Sequence, residues 1–141
     1  ASARSARAVE RRLVDKIGLD ASRYKFADGS GLSLYNYVSA ELEVKMLRYA
    51  YKNENIRHQL MPALPIAGVD GTLKKRMKGS FTRDNVKAKT GTLTGISSLA
   101  GYCQAANGHM LCFAIINQGV MHGRNGRAFQ DRVCTLLCAP N

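Results

Sequence analysis

No run of eighteen apolar residues occurs anywhere in the 141 positions, so no segment reads as a membrane-spanning helix. The first residues also lack the charged, apolar and small-residue succession of a secretory leader. Acidic residues are scarce, 10 Asp and Glu against 21 Lys and Arg, which leaves a formal charge of +11. The 4 cysteines include no Cys-x-x-Cys pair and the 3 histidines are scattered, so the chain offers no zinc ligand set and no cofactor motif. Internal repeats and low-complexity stretches are missing as well. What is present is a 45% hydrophobic composition. A complete domain of this size buries roughly two thirds of its unfolded surface.

The positive charge raises nucleic-acid binding as a function, because Arg4, Arg7, Arg11, Arg12 and Lys16 crowd one segment and Lys74, Lys75, Arg76 and Lys78 another. Arg4, Arg7 and Arg11, however, fall at helical spacings, the pattern of a solvated helix face. No recognition motif or series of stacking aromatics accompanies them. Nucleic acid is therefore not read as a partner.

Periodicity places the elements. Val9, Leu13 and Ile17 form the apolar stripe of a helix from about Arg4 to Ile17, stopped by Gly18. Tyr24 to Ala27 reads as a short strand into an Asp28-Gly29 turn. Ser39 is the N-cap of a helix through Tyr51, with Glu41 and Glu43 in its first turn and Leu42, Met46 and Tyr49 facing inward. A short helix over Ile56 to Leu60 precedes Pro62 and Pro65, and Gly68 to Gly71 form a turn. Thr72 to Lys78 is predicted helical and Gly79 to Arg83 a loop. Three antiparallel strands follow, Val86 to Thr90, Ser97 to Ala106 and His109 to Asn117, and a helix over Ala128 to Leu137 covers one sheet face.

Lys89-Thr90-Gly91-Thr92 is the tetrad with chemistry in it. If Val86 to Thr92 is an edge strand, Lys89 and Gly91 share one face and Thr90 and Thr92 the other, with strand twist blurring the division. An ammonium meets an anionic substrate or a reacting Ser, and Gly lets a ligand approach the backbone. Thr hydroxyls donate to a carboxylate, and the N–H after Gly91 can serve an oxyanion. Alone, Lys-Thr-Gly on a hairpin is a common chance match.

Its surroundings add specificity. They read Leu64-Pro-Ile-Ala-Gly-Val-Asp-Gly-Thr-Leu73, Arg76, Asn85-Val-Lys-Ala-Lys-Thr-Gly-Thr-Leu93, Leu99-Ala-Gly-Tyr102 and Asn107-Gly108, with Asp28-Gly-Ser-Gly-Leu-Ser33 and Asn36 upstream. In order and spacing, from about Lys16 to Asn117, these segments resemble the D-alanyl-D-alanine carboxypeptidase/endopeptidase family of low-molecular-mass penicillin-binding proteins, the group that includes penicillin-binding protein 4. Leu34 departs from the pattern, since members often carry Arg there.

The resemblance implies an α/β (α+β) architecture, the C-terminal part of a beta-lactamase/transpeptidase-like fold with an antiparallel sheet flanked by helices. Residues 1–141 would then be the C-terminal part of one penicillin-binding domain. It further implies a serine peptidase of the periplasm or cell envelope that cleaves peptidoglycan stem peptides through an acyl-enzyme and is inhibited by beta-lactams. Family members place a Ser-x-x-Lys nucleophile and a Ser-x-Asn element upstream of the Asp-Gly-Ser-Gly motif. Ser22-Arg-Tyr-Lys25 fits the first only by letters, because it leads into a turn instead of opening a buried helix, and Ser33-Leu-Tyr-Asn36 has one residue too many for the second. The nucleophile is therefore expected on an N-terminal part of the same enzyme, and this chain alone is expected to be inactive.

In the complete enzyme Lys89 would tune proton transfer and hold the substrate anion, Thr90 and Thr92 would bind the terminal carboxylate across Gly91, and the Thr92 N–H would complete an oxyanion hole. A basic envelope protein is also drawn to anionic lipid headgroups and wall polymers, an attraction that salt weakens. The rival functions are an inert peptidoglycan-binding scaffold and, behind it, a basic nucleic-acid-binding module.

Other candidates carry less. Ser30 lies in Asp28-Gly-Ser-Gly, where a nucleophile elbow needs Gly at position 28, so a turn is expected. His58, His109 and His122 have no evident Ser and Asp partners. Asp70-Gly71 supplies a turn with positive φ, Arg76 has no assigned role, and Asn117 is expected to cap a loop. Counting outward from an Asn107-Gly108 two-residue turn places Cys103 opposite Cys112, a spacing that permits a disulfide in an oxidising compartment; buried free thiols are the simpler expectation. Cys134 and Cys138, four apart on the last helix, are expected to pack as small apolar residues.

Overall fold

The computed structural model describes residues 2–140. Four α-helices and one sheet are described: α1 Ala3–Lys16, α2 Ala40–Lys52, α3 Glu54–Ala63, β1 Lys87–Leu93, β2 Ile96–Gln104, β3 Met110–Gln118 and α4 Gly123–Cys138. The sheet is antiparallel in the order β1-β2-β3, so β1 and β3 are its edges. Short hairpin connections enforce that order. Helix α4 covers one face and α2 the other, giving a helix-sheet-helix sandwich.

The two faces follow from the period of two. Leu99, Cys103 and Phe113 meet Cys134 and Cys138 of α4 in the main core. On the opposite face Tyr102 donates its hydroxyl to the Leu47 carbonyl of α2 at 2.7 Å, and burial, with smaller effects from Cys112 and Tyr51, pushes its phenol up to about 12. A second cluster, Val14, Ala21, Tyr24 and Leu42, ties the end of α1 to α2.

Local chemistry sets most boundaries. Ser39 Oγ accepts from the Leu42 N–H at 3.1 Å and opens α2, and Gly18, at φ +81, follows the end of α1. Helix α1 packs only near its C-terminal end, so Val9 is exposed instead of forming part of an inner stripe. Tyr24 to Ala27 is not a strand; Lys25 makes one isolated antiparallel bridge to Tyr37. Thr72 to Lys78 is not a helix either. A single 3-10 turn, Gly71–Leu73, is followed by irregular chain in which Met77 takes φ +52, outside helical space. Helix α3 starts earlier than expected and keeps Pro62 in its last turn, and α4 begins at Gly123.

The β2–β3 hairpin corrects the cysteine register. Ala105 N–H bonds to His109 O and Gly108 N–H to Ala105 O, both at 2.9 Å, so the loop holds three residues, with Gly108 left-handed at φ +84. Cys112 then faces Tyr102, and Cys103 faces Leu111. A slip of one residue sends the two thiols to opposite faces. Cys112 lies against the Val44 carbonyl of α2 while Cys103 joins Cys138 under α4, and all four cysteines are free. Burial pushes the Cys103 and Cys138 thiols up and that of Cys134 to about 12. Since thiolate is the reactive form, alkylation of the folded protein should be slow at Cys103, Cys134 and Cys138, and unfolding without reductant should expose all four thiols to the reagent. Intact-mass analysis checks this; a Cys103–Cys112 crosslinked peptide would refute the register.

Gly101 explains how closely β1 and β2 approach. A Cβ there would run into the Lys87 carbonyl oxygen and the Cα and Cβ of Ala88, atoms on or next to the β1 backbone with little room to give. Gly101→Ala should lower stability by about 1–3 kcal/mol in a denaturant melt, the usual range for overpacking.

Candidate active site

Strand β1 is covered along its outer edge only at its start. Ala67 N–H donates to Val86 O at 2.9 Å and Ala88 N–H donates to Pro65 O at 3.0 Å. The Pro65 segment is itself pinned: Asp70 Oδ1 accepts from the Ile66 N–H at 2.7 Å, and Gly71, at φ +52, packs its α-carbon against Pro65, where a Cβ would come within 3.0 Å. The Asp70-Gly71 turn expected from the sequence thus holds the strip of chain that ends the covered part of the edge.

Beyond Ala88 the edge is open. Because the Ala88 N–H points away from β2, alternation along the strand turns the N–H groups of Thr90 and Thr92 the same way. Neither has a hydrogen-bond partner among the described residues. Lys89 precedes them, exposed, and its ammonium folds forward onto the outward Thr90 carbonyl at 2.6 Å. Among the described residues it has no carboxylate partner. The result, among the described residues, is a ledge with two free backbone donors and a cation that has no carboxylate partner, a combination suited to an extended, anionic peptide.

The register places Lys89 opposite Ala100 and Gly91 opposite Ser98 on the α2 face, and Thr90 opposite Leu99 and Thr92 opposite Ser97 on the α4 face. The side chains of the tetrad are therefore split as the alternation requires. Thr90 Oγ1 donates to Thr72 Oγ1 at 3.1 Å, whereas Thr92 is exposed. At Gly91 a Cβ would meet the Ser98 hydroxyl, a group that can rotate away, and nothing else closer than ordinary van der Waals contact.

Behind the ledge stands a polar network that the sequence did not suggest. Arg76 grips Asp131 through Nη2 at 2.6 Å and Nε at 3.0 Å, and donates to Gln130 Oε1 at 3.0 Å. Gln130 is fully buried and donates to Ser97 Oγ at 3.1 Å and Asn117 Oδ1 at 3.0 Å. Asn117 is thus a member of this network inside β3, not the cap of a loop. The only hint was Gly126 within a helical pattern: a Cβ there would lie 2.9 Å from that of Ser97, so this glycine lets α4 approach the sheet.

The remaining candidates lie apart from β1. Ser30 Oγ donates to Asp28 Oδ2 at 2.6 Å, and Asn36 Nδ2 donates to Asp28 Oδ1 at 2.7 Å. The first of these, then the second, holds the Asp28 carboxyl below its usual range, so the motif is a self-tied turn with its hydroxyl already committed. His58 pairs with Glu54 at 3.5 Å, and no His bonds to a Ser among the described residues. One shallow cleft is lined by Arg7, Arg11, Lys25, Phe26, Ala27 and Tyr35 and another by Arg23, Tyr24, Tyr37, Val38, Ser39 and Glu41; neither includes a β1 residue. No group of three potential metal ligands occurs among the described residues.

Comparison with known proteins places this geometry. The model of the D-Ala-D-Ala carboxypeptidase 3 (S13) family matches residues 1–138. D-alanyl-D-alanine carboxypeptidase DacB of Haemophilus influenzae is 39% identical over 113 residues, 79% of this chain and 23% of the relative. The D-alanyl-D-alanine carboxypeptidase of Actinomadura sp. strain R39 is 37% identical over 126 residues, 86% of this chain and 23% of that protein. Penicillin-binding protein 4 of Haemophilus influenzae, solved in complex with a beta-lactam, superposes with a TM-score of 0.77 at 32% identity, covering 92% of this chain and 32% of that one. An extended spectrum beta-lactamase shares the fold at 19% identity, with a TM-score of 0.66 over 88% of this chain and 50% of that one. The chain spans about a quarter of the length of the curated relatives it matches. With a family model covering nearly its whole length and an open β1 ledge bearing Lys89-Thr90-Gly91-Thr92, the chain belongs to the D-Ala-D-Ala carboxypeptidase 3 (S13) family.

Proposed function

We propose that this chain is the ledge-bearing part of a serine-type D-Ala-D-Ala carboxypeptidase/endopeptidase that acts on peptidoglycan stem peptides in the periplasm or cell envelope. The observation that carries the reading is the open edge of β1, where the outward N–H groups of Thr90 and Thr92 follow Lys89, whose ammonium rests on the Thr90 carbonyl and has no carboxylate partner among the described residues. The 141 residues form the C-terminal part of one penicillin-binding domain, and the nucleophilic Ser belongs to the N-terminal part of the same enzyme.

The chemistry follows from those groups. The Ser oxygen attacks the peptide carbonyl, the Thr92 N–H takes the developing oxyanion, and collapse expels the amine of the leaving D-amino acid, which gains a proton. Water then cleaves the acyl-enzyme ester and restores the Ser. Lys89 stabilises the anionic substrate and biases proton movement at the reacting Ser. Thr92 offers its hydroxyl to the terminal carboxylate directly; Thr90 does so by releasing Thr72. Gly91 lets the substrate backbone lie against the strand. Beta-lactams enter as mimics of the acyl donor, and no metal or cofactor takes part.

Incubation of the full-length protein, and separately of residues 1–141, with a fluorescent penicillin tests this by intact mass. Covalent labelling of the full-length protein alone is expected. Labelling of neither would favour an inert peptidoglycan-binding domain, and labelling of residues 1–141 would place the nucleophile within this chain.

A further inference from the structure

We propose that Gln130 is a positioning residue for the Thr92 N–H, acting through Ser97, with Arg76 fixing the orientation of its amide. The inference rests on the acyl-transfer function proposed above.

Thr92 and Ser97 are cross-strand partners. Since the Thr92 N–H points outward, this pair exchanges no backbone hydrogen bonds and belongs to the closely spaced kind, in which side-chain packing contributes most to alignment. Thr92 is therefore joined to β2 by the ladder only through its neighbours. What holds its partner matters correspondingly more, and Ser97 is held from α4: Gln130 Nε2 donates to Ser97 Oγ at 3.1 Å, and Gly126 brings the helix against the Ser97 Cβ.

The amide of Gln130 has one orientation available. Arg76 carries donors only, so the atom 3.0 Å from its Nη2 is the Gln130 oxygen, and the two N–H bonds are left for Ser97 Oγ and Asn117 Oδ1. Arg76 cannot swing away cheaply, because the same guanidinium holds Asp131 at 2.6 Å in a half-buried pair. Asn117 brings in the end of β3, and just beyond it the Val120 N–H bonds to the Gly95 carbonyl at 3.0 Å, closing the tip of the β1–β2 hairpin. One buried amide thus joins α4 to the ends of β2 and β3 beside Thr92. A helix needs only apolar contact to cover this sheet. A fully satisfied polar hub beside the second of the two free donors of β1 costs desolvation, and it yields a fixed register there.

The test uses the full-length protein and three forms of it: wild type, Gln130→Met, which keeps the length of the side chain but none of its hydrogen bonds, and Ser97→Ala. The measurements are the rate of acylation by penicillin, its half-saturation, the infrared carbonyl stretch of the acyl-enzyme and the thermal melt. For Gln130→Met, acylation should slow by roughly tenfold or more, in line with the sensitivity of reactions to small misplacement. Half-saturation should change little, and the acyl carbonyl stretch should move to higher wavenumber because the oxyanion donor is misaligned. Ser97→Ala should show the same shifts, smaller. A lowered melt with unchanged acylation and unchanged stretch would reduce Gln130 to a packing residue and overturn the inference. So would slower acylation without a shift in the stretch. If Gln130→Met does not fold, Ser97→Ala decides by the same readouts. Absence of acylation in the wild type would overturn the functional reading and this inference with it.

Discussion

Lys89→Ala in the full-length enzyme should slow acylation by penicillin about 10²–10⁴-fold, the range that a well-placed proton-transfer group contributes, while the folded state is left nearly unchanged. The second half of this expectation comes from the surroundings of the side chain. Lys89 is exposed, its ammonium contacts only the Thr90 carbonyl, and it pairs with no carboxylate among the described residues. Removing it leaves no buried charge unpaired and no cavity, the two usual sources of a large stability loss. Lys89→Arg separates charge from shape: it retains the cation but broadens it into a fork that cannot move a proton. Partial binding with poor acylation is expected for that variant. Near-normal acylation by Lys89→Ala would remove the residue from the chemistry.

The parts of this fold that local chemistry controls were legible in the sequence. Ser39 announces the start of α2 because its hydroxyl satisfies a helix N–H, and the strands show because one face must be apolar and the chain turns at Asn107-Gly108. The β2–β3 register was not legible. Asn107-Gly108 marks the turn correctly, but a two-residue type I′ loop needs Asn107 as well as Gly108 at positive φ, whereas in the three-residue loop found here only Gly108 takes it. That difference moved Cys103 and Cys112 to opposite faces. The segment Lys74 to Lys78 has helical composition, yet its conformation is set by tertiary demands: Arg76 must reach α4, and Thr82 bonds to the Met77 carbonyl at 2.9 Å. Helix α4 starts earlier than its composition suggests because Gly123 and Gly126, poor helix formers, lie in its first turn; at Gly126 close contact with Ser97 favours a missing side chain.

The candidate site divides in the same way. The tetrad stood out by its motif and its surroundings, and the faces of its side chains could be read from period two. Which backbone groups of β1 are free could not, because that depends on Pro65 pairing with Ala88 across a separation in sequence. The Arg76, Gln130, Ser97 and Asn117 network was invisible for a related reason: its members come from four separate stretches of chain, and no local pattern distinguishes a buried glutamine from a solvated one on the same helix.

The free N–H of Thr92 can be tested by a substitution that a ladder residue would not tolerate. Thr92→Pro deletes that N–H without deleting a hydrogen bond of the sheet, because the group points away from β2, and edge strands accept proline where the N–H faces outward. The preceding Gly91 lies in a strand, the extended conformation that a following proline favours. Thr92→Pro should therefore slow acylation about 10²–10³-fold, the effect of losing one oxyanion donor, with a melt close to that of wild type. Thr92→Ala keeps the N–H and loses only the hydroxyl, so it should acylate far faster than Thr92→Pro while binding a substrate with a free terminal carboxylate less well. The two variants thus separate the backbone group from the side chain at one position. If Thr92→Pro remains folded and acylates as fast as Thr92→Ala, the oxyanion donor lies elsewhere, and the open edge of β1 serves binding alone.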